Sequence, residues 1–462
     1  MTARILLFVA AFALALPTAS AGPARVDGLV GNPTGARNQL FVEDDLNVFL
    51  SPAQLTLWPN RTFVSLGFTS GGTFSPFGGG AIGLGPVTVG VFLNRTGNRF
   101  SDTGALTNVL GNVVPGGFGA RLAYTGGATA PLFLPVDLGV GVDLGDVQLG
   151  FSGHVAAGRT YTNTEVRDPE TRFSTAETTA SSGVISVAGG AMIPADIANP
   201  EFWIRGTLAT GWVDTFTAPS TFPTDRPTLS TLVGVRGFGS IGGGFRVPIL
   251  AGDVLITPGF ELAYSRGEPY LTDYLVELPV EETTLVVSSV AGTAGVGAEY
   301  SPVDPLRIVG TVSVEWDTLM IDATNGQEGD AFGGATTRNT RVRGPILSVG
   351  AEGNPVWKLW VRGSVRAGAG GSSSSLVVAN QDSTGDTNRA TTKNNLGVVA
   401  FSASGGAGLK FDHVEVAANV GGFNNATALG GAAIAVRAWL DVHFRFPAIG
   451  SSPKPTVPHQ TM

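Results

Sequence analysis

The sequence predicts an all-β chain that closes on itself as a transmembrane antiparallel β-barrel of about 14 strands, with about 16 as the alternative count. Three observations predict it. In residues 432–446, Ile434, Val436, Ala438, Leu440, Val442, Phe444 and Phe446 share one parity, and Ala435, Arg437, Trp439, Asp441, His443 and Arg445 share the other. Side chains of a strand alternate between faces, so this stretch has one apolar and one mostly charged face. It outlasts the ~5–6 residues of an average strand and meets the ~9–11 that cross a bilayer. The second observation is compositional. Glycine is abundant (66 of 462 residues) and only 14% of residues are charged. Beyond the N-terminus, however, no run has the large apolar side chains that a membrane-crossing helix of about 20 residues needs. The third is rhythm: from Asp146 onward, short turns alternate with long polar stretches, the arrangement of outer-membrane barrels.

The length suits one large barrel or two to three soluble domains. Arg4, the apolar run over 5–16 and Ala19-Ser20-Ala21 ahead of Gly22 read as a cleavable export signal over 1–21. The chain has no cysteine, which excludes a disulfide framework, a thiolate metal site and a lipid-anchored cysteine. A formal charge of −8 with scattered Lys and Arg gives no footprint for nucleic acid.

Taken in order, 22–60 reads as a periplasmic leader or as a plug in the barrel mouth. It carries Glu43, Asp44 and Asp45, then Asn47 and Ser51-Pro52-Ala53-Gln54-Leu55. Strands are expected at 62–68, 81–84 and 87–93, with Gly85-Pro86 as a tight turn. A polar loop over 94–115 precedes candidates at 116–124 and 132–144. Regular strands follow at 146–158, 182–191, 201–213, 228–247, 253–265, 284–300, 306–317, 341–352, 356–368, 396–411, 413–422 and 431–446. Those after Asp146 number twelve, and the earlier part adds two or four, with fourteen in all preferred. Short turns are expected at 144–146, 194–200, 248–252, 301–305, 353–355 and 411–413. Long loops are expected at 159–181, 214–227, 266–282, 318–340 and 371–395. Ile308, Val312 and Val314 oppose Arg307, Thr311, Ser313 and Glu315, and Val361 and Val365 oppose Lys358, Arg362 and Arg366. In 341–352 the parity shifts at Gly344-Pro345, as at a β-bulge. The barrel ends at 446. Phe444 and Phe446 stand where such barrels present an aromatic signal to the assembly machinery, and 447–462 is a Pro-rich tail.

The acidic set at 43–45, followed by Asn47 and Ser51-Pro52-Ala53-Gln54-Leu55, resembles a pattern in the FadL-like outer-membrane superfamily. That family places an acidic stretch and an Asn-Pro-Ala-Gly-Leu-type motif just before its first strand. Here Ser51 stands in place of the usual Asn and Gln54 where Gly is common. The resemblance implies an outer-membrane, fourteen-stranded channel or transporter whose N-terminal segment folds into the lumen as a hatch. Small hydrophobic or amphipathic solutes would pass through it. Glu43, Asp44, Asp45, Asn47 and Pro52 would then be hatch residues.

A lipid-facing Arg or Lys near the bilayer midplane costs ~2–4 kcal/mol. The charges of the strands therefore belong inside: Arg205, Arg236, Glu261, Glu299, Arg307, Glu315, Lys358, Arg362, Arg366, Glu415, Arg437, Asp441 and Arg445. Interstrand ion-pair ladders are the plainer expectation. Contact with a hatch or a solute is the functional one, with 43–45 docking on a wall of Arg362, Arg366, Arg437 and Arg445. The histidines are not spaced as a metal site, and the glycine runs lack the helix of a phosphate loop, so neither cofactor nor metal is expected. Asp441 with His443, or Ser152 with His154, are the residues a catalytic reading would use. Both pairs read more simply as luminal polar contacts, and the chain is expected not to be an enzyme. Expected partners are outer-membrane lipid, the barrel-assembly machinery and a small solute. The alternative is a secretion-associated or surface-binding barrel acting through 159–181, 318–340 and 371–395.

Overall fold

A computed structural model describes residues 40–42, 45–69, 74–93, 133–168, 172–218, 229–275, 278–303, 306–323, 335–356, 358–381, 387–411, 414–427 and 432–446. The export signal, Glu43, Asp44, the strand expected at 116–124 and the tail at 447–462 lie outside the described residues. Alternating size and polarity produce strands throughout. In chain order these are β1 (Arg61–Thr69), β2 (Phe74–Leu84), β3 (Val87–Leu93), β4 (Phe133–Asp143), β5 (Gln148–Asp168), β6 (Arg172–Met192), β7 (Glu201–Ala218) and β8 (Leu229–Arg246). There follow β9 (Ile249–Ala251), β10 (Val254–Leu275), β11 (Leu278–Val303), β12 (Leu306–Ala323), β13 (Ala335–Val356), β14 (Leu359–Gln381), β15 (Thr387–Lys410), β16 (Val414–Thr427) and β17 (Ala432–Arg445).

Neighbours in sequence are antiparallel neighbours in space. β8 pairs with β10, and short β9 folds back on the start of β10. The last strand closes on the first in the register Ser65↔Asp441 and Leu66↔Leu440. Leaving β9 aside, the described strands form one closed ring of sixteen, not the preferred fourteen. The difference arises before Asp146, where two or four strands are expected and the structure has four, β1 to β4; β2 is also longer than expected, because Gly78, Gly79 and Gly80 carry no side chains to alternate.

The two faces are distinct. On β12, Ile308, Val312 and Val314 are 37%, 45% and 39% exposed, whereas Thr311, Ser313 and Glu315 are 3%, 1% and 4% exposed. Leu138, Phe151, Val187, Leu208, Val365 and Phe401 continue the outward apolar face around the ring. No helix among the described residues is long and apolar enough to cross a membrane.

Two further expectations concern chain direction. The tight turns at Gly85 and Gly145 form with φ of +67° and +92°, a region where a side chain is disfavoured. The bulge at Gly344-Pro345 appears as a register shift between Arg343 and Ile346. The long loops, in contrast, are largely strand. Residues 159–168 and 172–181 continue as an antiparallel ladder from Arg159↔Ser181 to Asp168↔Arg172. Those residues are polar on both faces, so pairing continues where alternation gives no sign of it. Strands β5 to β8 and β10 to β15 are consequently 18–26 residues long, against 7–14 for β1 to β4, β16 and β17.

Candidate channel interior

Inside the ring lies a segment whose described residues are 40–42 and 45–57. It turns through two 3₁₀ helices, Asp45–Phe49 and Pro52–Leu57. Pro at the first position of the second helix removes an amide that would have no partner there. Leu40, Phe41, Val42, Leu46, Asn47, Ala53, Gln54 and Leu55 are buried.

Room for this segment is made by glycine. Wall residues on the inward parity are Gly90, Gly139, Gly141, Gly150, Gly190, Gly259, Gly295 and Gly297. A Cβ on Gly190 would fall 2.6 Å from Ser51 Oγ, one on Gly139 2.6 Å from Leu55 Cδ1, and one on Gly259 2.8 Å from Leu40 Cγ. At Gly150 and Gly297 it would run into the backbone of Pro52 and Phe41. No side chain fits between strand and segment at these points, so absence of a Cβ is what lets the backbones approach.

Polar anchors complete the seat. Arg246 of β8 donates from Nε to Glu201 Oε2 (3.1 Å) and from Nη2 to Glu201 Oε1 (2.9 Å), and its Nη1 reaches the Val42 carbonyl at 3.3 Å. Gln54 donates to the same Glu201 carboxylate. Arg246, Glu201 and Gln54 are essentially inaccessible. A bidentate guanidinium–carboxylate pair satisfies both charges, and the segment supplies the remaining acceptor and donor. Arg205 donates to the Phe49 carbonyl and Thr56 contacts Gln148. Asn47 Nδ2 closes the segment on itself through the Val42 carbonyl at 2.9 Å.

The other side of the segment is aromatic. The Phe49 ring lies 4.8 Å from Phe92 and 5.5 Å from Phe77, and Phe63 lies 4.9 Å from Phe77, all tilted or edge-on, the geometry that aromatic quadrupoles favour. Beside them is a cavity of about 20 Å³, room for about one water molecule. Val48, Phe49, Leu55 and Phe92 form its apolar side, and Asp137, Ser152 and Arg205 its polar side.

The luminal charges expected from the sequence are found mainly in a second region. Arg307 pairs with Glu299 (Nε to Oε2, 2.9 Å). Glu315 lies between Arg366 (3.6 Å) and Arg343 (3.7 Å), and Arg362 between Glu352 and Glu415 (3.5 Å each). These are cross-strand ladders. Lys358 lies over the Phe411 ring at 5.3 Å. Asp441 accepts from the Ser65 hydroxyl across the closing seam. Arg445 stands opposite Arg61, and Arg437 opposite Thr69. Of the acidic set, Asp45 opens the first 3₁₀ helix, and Pro52 heads the second, close against Gly150. Among the described residues, the segment's polar contacts with the wall include Arg205, Arg246, Glu201, Gln148 and Met192. Of these only Arg205 was among the sequence candidates. Glu201 and Arg246 sit opposite each other in the β7–β8 register but 45 residues apart in the chain, so only the strand pairing reveals them. The residues of a catalytic reading have other company: His154 Nδ1 is 3.1 Å from Asp137, and the His443 ring stacks on Phe63 at 5.4 Å.

No family model matches the chain, and no curated protein matches it. Among solved structures it is similar to the CymD monoaromatic hydrocarbon channel, at 10% identity and a TM-score of 0.40, over 91% of this chain and 98% of that one. It is similar to the Pseudomonas putida toluene transporter TodX at 10% identity and a TM-score of 0.39, over 93% and 99%. It is also similar to the ferric yersiniabactin uptake receptor FyuA of Yersinia pestis at 9% identity and a TM-score of 0.35, over 84% and 80%. The barrel assignment itself comes from the strand register and the closure of β17 on β1.

Proposed function

We propose that the protein is an outer-membrane channel for small hydrophobic or amphipathic solutes, and that segment 40–57 is its hatch. The observation that carries this reading is the seat of that segment: glycine backing on one side, aromatic rings on the other, and a water-sized, half-apolar gap between Phe49, Phe92, Asp137 and Arg205. A structural filler needs only bulk. A wall emptied of side chains to receive a segment, next to an amphipathic space, supports passage that depends on where the segment sits. The outward belt of Leu, Ile, Val and Phe supports insertion in a bilayer.

The test uses the cysteine-free chain. Leu50 and Trp203 belong to one buried cluster, so Leu50→Cys with Trp203→Cys can lock the segment to β7. In liposomes, uptake of phenol is expected to stop in the oxidised double variant and to return on reduction. Uptake indifferent to the lock, or absent from the reduced and wild-type proteins alike, would sink the proposal.

A further inference from the structure

The β10–β12 wall carries a feature that neither the ladders nor the hatch contacts account for. Phe41 lies on a glycine floor. A Cβ on Gly297 would fall 2.9 Å from Phe41 Cβ, and one on Gly295 2.8 Å from Phe41 Cζ, so the ring runs lengthwise along β11. The positions around that floor are hydroxyl residues. Thr257 and Thr311 flank Gly297, Ser313 flanks Gly295, and Thr293 is the next inward residue of β11 beyond the tip of the ring. Thr257, Thr293, Thr311 and Ser313 are 0%, 1%, 3% and 1% exposed, and none of their hydroxyls has a hydrogen-bond partner among the described residues.

A buried hydroxyl left unpaired costs about 1–3 kcal/mol, whereas Val or Ala at the same position costs nothing of the kind. A socket shaped for Phe41 alone would be lined with Val and Ala. This one has the floor of an aromatic slot and the rim of a polar one. We infer that it is a binding subsite for a six-membered-ring solute bearing a hydroxyl, of the phenol type, and that Phe41 occupies it while the segment is seated. The ring of the solute lies on Gly295 and Gly297, and its hydroxyl exchanges hydrogen bonds with Thr293 and Ser313 at the tip. This rests on the hatch reading, since the subsite is taken up when Phe41 leaves it.

The experiment compares phenol with benzene by calorimetry on purified, detergent-solubilised protein. In Phe41→Ala, phenol is expected to bind about tenfold tighter than in wild type and about tenfold tighter than benzene, the worth of one hydrogen bond. Adding Thr293→Val and Ser313→Ala to Phe41→Ala should bring phenol to the benzene level and leave benzene unchanged. Equal binding of the two probes, equal phenol binding in wild type and Phe41→Ala, or indifference to the added substitutions each overturns the subsite. If Phe41→Ala fails to give a folded, heat-modifiable barrel, Phe41→Tyr decides. It sets a hydroxyl at the ring tip and is expected to raise the unfolding midpoint, and a lowered midpoint overturns the subsite. Liposome flux separates the two readings. Hydroxyl-dependent binding without phenol uptake removes the channel and keeps the subsite, while uptake without hydroxyl-dependent binding does the reverse.

Discussion

Two regions of the interior solve the same problem differently. From β3 to β8 the wall gives up its side chains and its best ion pair to the segment: Gly139, Gly150 and Gly190 make room, and Glu201 and Arg246 are completed by Gln54 and Val42. From β12 to β16 the wall satisfies itself, with Arg307, Arg362 and Arg366 answered by carboxylates of neighbouring strands. The first region is therefore coupled to the segment's position, while the second is a frame held by pairs between its own strands. Leu40 and Phe41 carry the segment's contacts on to Gly259, Gly295 and Gly297 of β10 and β11, between the two regions.

The largest break in this contrast comes from unpairing the seat. Glu201→Leu removes the carboxylate that the buried Arg246 guanidinium holds through two nitrogens, and loss of one partner of a buried pair costs about 3–5 kcal/mol. Urea unfolding of the reconstituted barrel measures it. The matching change on the frame, Glu352→Leu, is expected to cost clearly less, because Arg362 keeps Glu415 at 3.5 Å. Equal losses would erase the distinction between the two walls.

Crowding the seat comes next. Gly150→Val pushes a side chain into the backbone of Pro52, whereas the Cβ site of Gly183 has nothing within 4 Å. Overpacking of this kind costs about 1–3 kcal/mol. Gly150→Val should also unseat the segment, so that a cysteine placed at Leu50 reacts with a water-borne maleimide faster than in the parent. Gly183→Val should leave both stability and labelling unchanged. Gln54→Ala is expected to cost about 1–2 kcal/mol by leaving Glu201 one donor short, with a smaller rise in labelling at the same position.

How far this could be read from the sequence follows from the range of the interactions. Alternation is local, so the faces of β10, β12, β14 and β16 were legible, as was the turn at Gly85, whereas at the end of β17 Phe444 is buried and Arg445 exposed, against the expected faces. Where side chains vanish or both faces are polar, the signal fails though the hydrogen bonds persist. Gly78, Gly79 and Gly80 hid most of β2, and the Thr- and Ser-rich hairpin of β5 and β6 looked like a loop. The seat was the least legible part. Glycines that receive the segment look like any strand glycine until the register places Gly139 beside Leu55 and Gly150 beside Pro52. Ladder partners such as Arg362 and Glu415 were visible as inward charges, but which charge meets which depends on pairings of distant segments.

The smallest expected effect sharpens the comparison most. Arg366→Gln removes one of the two guanidinium groups on Glu315 and leaves Arg343 at 3.7 Å. Arg343 is half exposed and reaches Glu315 only at ion-pair range, so it is a weak but sufficient counter-charge, and such screened pairs are worth about 0–1 kcal/mol. The glutamine amide retains a donor toward the same carboxylate. Stability should therefore fall by no more than about 1 kcal/mol, and the labelling of a cysteine at Leu50 should not move, because the Glu315 ladder lies on other strands than the Glu201–Arg246 anchor of the segment. A change in that labelling would mean that the frame senses the segment after all, and that the two walls act as one.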